Sequence, residues 1–195
     1  MRNRIQEKGQ KVCVYFGGNN EEYFSKAFPA FLSFVLQATQ QADLSNTIIV
    51  MQQHPGAKIK NQDGRQLALW LEGVGARSAM PQIILSDFSA DEAQLIADAA
   101  LYYQTSMAPQ FVLAGIPTIQ IGHEIYEDIL VKSGAALTVN SPLELVDALV
   151  NFEKTNKPSL RDFLDYLGFK EDWPQRLENE LFLRDVRVCL TENCT

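Results

Sequence analysis

The chain has 195 residues, of which 46% are hydrophobic and 21% charged, enough for one well-buried core and too little for two large ones. The net charge is −7, from 17 Lys and Arg against 24 Asp and Glu, without any basic cluster, which argues against binding to a nucleic-acid backbone or an anionic membrane surface. The three cysteines lack metal-ligand spacing, and the chain has two histidines and no apolar segment of transmembrane length, so we expect no metal site, no transmembrane segment and a reducing cytoplasmic setting.

Strand and helix patterns alternate along the chain. Apolar, β-branched and aromatic runs predict strands, while helical spacing of apolar residues and Ser-x-x-Glu capping boxes predict helices. Strands are expected at residues 12–16, 47–51, 83–85, 99–103, 118–121 and 136–139. Helices are expected at residues 29–42, 65–71, 90–97, 108–114, 126–132 and from 141 to about 153, with capping boxes at Ser89–Glu92 and Ser141–Glu144.

This alternation predicts the fold class. Each return to the sheet crosses over with a helix, so the strands must pair in parallel, and strands that are apolar on both sides need helices on both faces. We therefore predict an α/β fold over residues 1–157: a Rossmann-like, doubly wound parallel sheet of about six strands. Residues 158–195 change to charged helical patterns, at 160–167 and 173–184, and are expected to form a C-terminal helical appendage packed on the same domain.

The loop after the first predicted strand contains Gly17, Gly18 and Asn19. Glycine lets backbone N–H groups approach a diphosphate closely. The loop lacks the third glycine of a GxGxxG fingerprint and the Lys-Ser/Thr pair of a Walker loop, so a plain turn is an equal alternative. Its position at the carboxyl end of a strand, where open α/β sheets bind ligands, makes these three residues candidate phosphate ligands.

The second predicted strand leads into His54 and Pro55. An imidazole donates to a phosphate or carboxylate and gains positive charge beside an anion. A surface turn with an incidental histidine is the alternative. Because this loop also lies at the carboxyl edge of the sheet, His54 is a second candidate for phosphate binding.

Two adjacent hydroxyls, Thr105 and Ser106, lie between the fourth strand and the next helix. Ser106 is the expected N-cap of a helix from about Met107, a role that contributes about 1 kcal/mol and is enough to explain a serine. Together with the free N–H groups of the helix start, the hydroxyls would also bind a phosphate. Gln110 lies one turn later on the same face as Ser106. Because the helix pattern is that of a buried helix, we expect Gln110 to contact something polar.

His123 and Glu124 follow the fifth strand and are candidate ligand-binding residues, while a solvated acidic helix start explains Glu127 and Asp128. No Ser-His-Asp or Cys-His order occurs, so no catalytic residue is assigned. A bound nucleobase would have to be recognised by hydrogen-bonding groups of the loop backbone.

Taken together, residues 12–152 resemble the C-terminal, donor-binding half of GT-B glycosyltransferases and the related UDP-N-acetylglucosamine 2-epimerases. The late motif of that group is an aspartate, a strand, Ser or Ser-Ser, a helix carrying Glu, and Gly-x-Pro. Here it reads Asp98, Thr105-Ser106, Gln110 and Gly115-Ile-Pro117. The family glutamate holds the ribose hydroxyls, so the resemblance gives this role to Gln110, whose amide lacks the charge-assisted strength of a carboxylate.

Earlier motifs fit the same group. The triplet Gln53-His54-Pro55 resembles the His-Pro element of bacterial sialyl- and polysialyltransferases and of capsule or teichoic-acid polymerases, in which the imidazole contacts the donor phosphate. Gly17-Gly18 is similar to the glycine loop after the first strand of the donor domain. The segment from His123 to Asp128 is similar to the one that meets the donor sugar.

The resemblance implies a nucleotide-sugar-binding domain of a GT-B type glycosyltransferase, which transfers a sugar from a nucleotide diphosphate or CMP donor to an unknown acceptor in polysaccharide biosynthesis. Its ligand would be a UDP- or CMP-sugar, and no cofactor is expected. GT-B enzymes place the acceptor site and usually the catalytic base in an N-terminal Rossmann domain, so this chain would act with such a domain or with a partner subunit. Two alternatives stay open: a non-catalytic interaction or regulatory module with a degenerate donor site, and half of a UDP-sugar 2-epimerase.

Overall fold

The computed structural model describes residues 9–58, 61–75, 77–86, 88–121 and 128–150, together with residues 164, 165 and 168. The helices expected at 160–167 and 173–184 fall almost entirely outside the described residues, as does the expected domain boundary at residue 157. Within the described ranges, no helix is both long enough and apolar enough to cross a membrane.

The protein is built on a six-stranded sheet with the order β3-β2-β1-β4-β5-β6. The strands are β1 Lys11–Phe16, β2 Thr47–Gln52, β3 Gln82–Ser86, β4 Ala99–Tyr102, β5 Thr118–Ile121 and β6 Leu137–Val139. All neighbouring strands are parallel, so their carboxyl ends share one edge. The order reverses between β1 and β4, as in doubly wound nucleotide-binding sheets. The predicted fold class is confirmed, and every predicted strand end lies within one residue of the observed end.

Helices connect the strands on both faces of the sheet. They are the π-helical segment α1 Tyr23–Ala27 and the α-helices α2 Phe28–Ala38, α3 Pro55–Lys58, α4 Gln62–Val74, α5 Ala90–Ile96, α6 Ala108–Leu113, α7 Ile129–Lys132 and α8 Pro142–Val150. The helix expected at 29–42 ends early, since the Thr39 hydroxyl donates to the Leu36 carbonyl (2.7 Å) and a turn follows. The helix expected at 65–71 is longer, and it ends at Gly75, whose φ of +70° suits only glycine. The sequence pattern predicts neither α1 nor α3.

The two predicted capping boxes have different outcomes. At the start of α5, the Ser89 hydroxyl accepts from the Glu92 N–H (3.2 Å) and the Glu92 carboxylate accepts from the Ser89 N–H (2.8 Å), so the first box is confirmed. At α8, the Ser141 hydroxyl accepts from the Glu144 N–H (3.3 Å), but the Glu144 carboxylate accepts from the Asn140 N–H (2.8 Å). In the second box the Glu144 carboxylate therefore binds the N–H of the residue before Ser141 instead of the N–H of Ser141 itself.

The hydrophobic core lies on both sides of the sheet, as the central strand β1 shows, because it is buried on both faces. Its side chains alternate: Val12, Val14 and Phe16 enter the cluster under α5, α6 and α7, whereas Cys13 and Tyr15 enter the cluster under α2 and α8. Each large apolar side chain buried in this way contributes roughly 1.5–3 kcal/mol. Helices on both faces, as predicted, follow from this pattern.

Asp98 extends the pairing between β1 and β4 at their amino ends. Its carboxylate accepts from the Val12 N–H (2.8 Å), and its own N–H donates to the Val12 carbonyl (2.8 Å). The aspartate of the late motif is therefore a structural residue that holds the two central strands together at the edge opposite their carboxyl ends.

Candidate functional site

A cavity of about 270 Å³ lies where the carboxyl ends of β1 to β4 meet. Its wall consists of the last residues of the strands and the loops that follow them: Phe16, Gly17, Gln52, Gln53, His54, Pro55, Phe88, Ser89, Thr105 and Met107. The strand order reverses between β1 and β4, and the loops at such a reversal diverge to opposite faces of the sheet, which opens a crevice for ligands. Of the residues predicted from sequence, Gly17, His54 and Thr105 line this cavity.

A buried tyrosine determines the shape of the glycine loop. A Cβ atom at Gly17 would overlap the hydroxyl oxygen of Tyr23, and one at Gly18 would lie 3.0 Å from the Tyr23 Cβ and Cγ. The Asn20 side chain accepts from the Tyr23 N–H (2.7 Å) and fixes the start of α1. The glycines therefore leave room for Tyr23, which sequence reasoning missed, and Gly17 still presents its backbone to the cavity.

Asn19 lies beside the loop that follows β2. Its side-chain nitrogen would be 3.2 Å from a Cβ atom added at Gly56, so the loops after β1 and β2 pack closely. Asn19 and Gly18 are not among the residues that line the cavity. Their assignment as phosphate ligands stays a prediction.

His54 is exposed at the cavity wall and caps the short helix α3. Its Nδ1 accepts from the Gly56 N–H (3.0 Å). A neutral imidazole that accepts at Nδ1 carries its hydrogen on Nε2, so this hydrogen bond assigns the tautomer of His54. His54 therefore offers one N–H donor to a ligand oxygen while its ring is held by the chain.

Near His54 lies a buried carboxyl that the sequence patterns do not indicate. Asp63, in the first turn of α4, is only 3% exposed, and its Oδ1 accepts from the Tyr23 hydroxyl (3.3 Å). Burial raises the pKa of the Asp63 carboxyl, an effect partly offset by the Tyr23 hydroxyl, by its own backbone N–H and by nearby His54. Burial likewise raises the pKa of the Tyr15 and Tyr23 hydroxyls in the same cluster.

The predicted N-cap at Ser106 is wrong. Helix α6 begins at Ala108 with Met107 as its N-cap residue and no side-chain cap. The helix thus begins one residue later than predicted, and Ser106 precedes the N-cap position. A hydroxyl at position 107 would find no donor, because Pro109 lacks an N–H and the Gln110 N–H donates to the Met107 carbonyl (3.0 Å). Instead, the Thr105 hydroxyl accepts from the Met107 N–H (3.1 Å) in a local turn, and Ser106 is exposed outside the cavity wall.

Gln110 also differs from expectation, because α6 exposes it rather than burying it. Its backbone carbonyl accepts from the Gln94 side chain (2.7 Å), which joins α6 to α5. Its side chain does not line the cavity. The remaining two predicted residues, His123 and Glu124, lie outside the described residues.

The cavity wall also contains residues that the sequence motifs do not indicate as site residues. Phe16, Phe88 and Met107 give it an apolar part, and Ser89 lines it while capping α5. Gln52 also lines it, with its side-chain nitrogen bonded to the Phe88 carbonyl. All five lie at a strand end or within a few residues of one, so sheet topology was the signal that could have indicated them. The combination suits a ligand with one apolar, planar part and one anionic part.

No protein-family model and no curated protein matches the chain. Solved structures do match its fold. An α,α-trehalose-phosphate synthase (UDP-forming) from Burkholderia vietnamiensis is 12% identical at a TM-score of 0.58, over 99% of this chain and 46% of that one. A protein assigned as a UDP-N-acetylglucosamine 2-epimerase from Listeria monocytogenes is 9% identical at 0.54, over 97% and 48%. The glycosyltransferase SnogD from Streptomyces nogalater is 13% identical at 0.50, over 89% and 44%.

The chain thus spans about half the length of the structures it matches. At such low identity the likeness establishes the fold. The resemblance expected from the motifs is confirmed at that level: this chain has a Rossmann-like domain similar to those of GT-B glycosyltransferases and a UDP-N-acetylglucosamine 2-epimerase.

Proposed function

We propose that the cavity binds a nucleotide sugar and that the chain is the donor-binding domain of a GT-B type glycosyltransferase. The observation that carries the proposal is the position of His54, Thr105 and the Gly17 backbone around one cavity at the reversal of strand order. That crevice is where doubly wound sheets hold nucleotides. The UDP-related names of two structural neighbours support the same ligand class.

The polar part of the cavity suits the phosphates. His54 has its Nε2 hydrogen available for donation, Thr105 lines the cavity from the β4 side, and Gly17 allows the backbone to come close. When a sugar leaves its nucleotide, negative charge builds up on the departing phosphate, and donors fixed in advance stabilise that charge. The apolar part, formed by Phe16, Phe88 and Met107, would hold the base.

The complete reaction needs groups beyond this domain. The cavity is lined by one histidine, with no carboxylate and no Lys or Arg among its described residues. We therefore propose that a second Rossmann domain or a partner subunit supplies the acceptor site and the catalytic base. We propose a cytoplasmic location for the protein, as expected from its composition. The proposed donor is a UDP- or CMP-sugar used in polysaccharide biosynthesis.

The proposal is tested by isothermal titration of the full chain with UDP, CMP and their sugar conjugates. Thr105→Val keeps the volume of the side chain and removes its hydroxyl, and we expect a nucleotide affinity about five- to tenfold lower. Thr39→Val is the matched control, because that hydroxyl bonds the Leu36 carbonyl at the end of α2, away from the cavity. Absence of binding to every nucleotide by the folded protein would refute the proposal.

A non-catalytic interaction or regulatory module is the second candidate. It is favoured by one observation: Gln110, in the place of the family's ribose-binding glutamate, is exposed and does not line the cavity. In that case nucleotides do not bind, and the same titration separates the two functions.

A further inference from the structure

Two neighbouring loops that line the cavity, the one after β1 and the one after β2, rest on one buried pair of side chains, Tyr23 and Asp63. The Tyr23 hydroxyl, on a side chain that is 0% exposed, donates to the Asp63 carboxyl (3.3 Å). Among the described residues, Asp63 is the single buried side chain of the Asp, Glu, Lys and Arg types. Neither residue lines the cavity.

Tyr23 supports the wall on the β1 side. Its ring and hydroxyl fill the space that side chains at Gly17 and Gly18 would need, so the loop backbone lies directly on the tyrosine. Its stacking on Phe28, with ring centroids 5.5 Å apart, fixes the ring within the core. Any shift of the Tyr23 hydroxyl would therefore move the Gly17 backbone at the cavity wall.

Asp63 supports the wall on the β2 side. It lies in the first turn of α4, and α4 packs against α3, the helix that His54 caps. A hydrogen bond from the Gln53 side chain to the Asn61 side chain (3.3 Å) also joins this loop to the start of α4. The loop after β2 is therefore held against the helix that carries Asp63.

This arrangement is costly for stability. The Asp63 Oδ2 is buried without a hydrogen-bond partner. Burying an incompletely paired carboxyl makes folding less favourable than burying an apolar side chain of the same size. Buried polar groups that lack partners are concentrated at functional sites, where the geometry needed for function takes precedence over stability.

We propose that Tyr23 and Asp63 are positioning residues that hold the Gly17 loop and the His54 loop at a fixed separation, so that both reach the same phosphate group. This inference rests on the proposed function, because it concerns how the proposed nucleotide site is assembled. The pair makes no ligand contact of its own. It should therefore affect the phosphate part of a ligand and not the nucleoside part.

The test compares Tyr23→Phe and Asp63→Asn with the unchanged protein in NMR titrations with UDP and with uridine. Tyr23→Phe keeps the ring that packs on the glycines and removes only the hydroxyl. We expect UDP affinity to fall about five- to tenfold in both variants, with uridine affinity unchanged. Tyr103→Phe is the matched control: its ring centroid lies 5.8 Å from that of Tyr23, and the hydrogen bond to Asp63 comes from Tyr23. It should leave both affinities unchanged.

A second readout in the same spectra needs no ligand. The amide signals of Gly17 and Gly56 report the two loops, and both should shift in Tyr23→Phe and in Asp63→Asn but not in Tyr103→Phe. Equal losses for UDP and uridine, or unchanged UDP affinity, would overturn the inference while the proposed function stands. If the unchanged protein binds no nucleotide, the proposed function fails, and the part of the inference that concerns phosphate fails with it. Unshifted amide signals would overturn the other part, that the pair positions the two loops. If one variant does not fold, the other decides.

Discussion

At the residue scale, His54 divides its two ring nitrogens between structure and ligand. Nδ1 is occupied by the Gly56 N–H (3.0 Å), which leaves the Nε2 hydrogen for an external acceptor. The ring is therefore oriented before a ligand arrives, and a preorganised donor loses little entropy on binding. Asp63 is the opposite case, a carboxyl held away from solvent by the fold.

Replacing His54 by aspartate separates these two roles. An aspartate oxygen can accept from the Gly56 N–H and keep α3 capped, but it cannot donate to a phosphate and repels it. We expect an affinity for UDP about tenfold to hundredfold lower, as measured by isothermal titration. The melting temperature should fall only slightly, because α3 stays capped but a second carboxylate then lies near Asp63. Unchanged UDP affinity would show that His54 does not contact the phosphate.

The buried Asp63 carboxyl makes stability depend on pH. Its pKa is raised above the ordinary 3.8 because burial disfavours the charged form, so the folded protein holds this proton where the unfolded chain has released it. The stabilisation is complete below 3.8 and is lost as the pH rises through the raised folded pKa. Asp63→Asn has no such proton. As the pH rises from 3.8 through the raised pKa, the melting temperature of this variant should therefore increase relative to that of the unchanged protein.

Thermal unfolding between about pH 4 and pH 7 measures this difference. Glu21→Gln, at an exposed carboxyl, is the control and should follow the unchanged protein at each pH. A constant difference between Asp63→Asn and the unchanged protein would contradict the prediction.

At the element scale, the loop between β1 and α1 combines two requirements. Tyr23 must pack inward, and the backbone of Gly17 must lie on the cavity wall. Only a residue without a Cβ meets both at position 17. The glycine pair therefore has a packing reason that is independent of any ligand and compatible with one.

Gly17→Ala is expected to lower the free energy of unfolding by about 1–3 kcal/mol, because the added Cβ overlaps the Tyr23 hydroxyl in a filled core. Gly73→Ala is the matched control. A Cβ at this position of α4 meets nothing within 4 Å, so alanine should stabilise the helix slightly. Urea unfolding of both variants measures the effect, and equal stability of the two would contradict the packing argument.

At the scale of the whole molecule, a donor-binding domain should bind without transferring. We expect UDP at about a hundred times its dissociation constant to stabilise the folded chain by about 2.7 kcal/mol, seen as a raised melting temperature. The same protein should release no UDP from a UDP-sugar, because the proposed second domain is needed for the reaction. Turnover by this chain alone would show that it contains the catalytic group.

Sequence patterns predicted the sheet well because β1 to β6 are short apolar runs bounded by turn residues, and parallel pairing follows from the helices between them. The site was predicted in part. His54 and Thr105 follow strands and so reach the cavity, but the predicted cap at Ser106 is wrong because α6 begins one residue later, with Met107 as its N-cap residue. The Tyr23–Asp63 contact joins residues 40 positions apart, and no local pattern reports such a distance.

The parallel sheet also has a practical consequence for handling the protein. Because the strands are parallel, the turn before β2 at Ser45, which is exposed, lies at the edge of the sheet opposite the cavity. A linker attached there would tether the protein to a sensor surface with its cavity facing the solution. Attachment near Gln53 would instead place the sensor surface at the mouth of the cavity. The first orientation leaves the cavity open to a ligand, and the second blocks it and provides a reference for nonspecific binding.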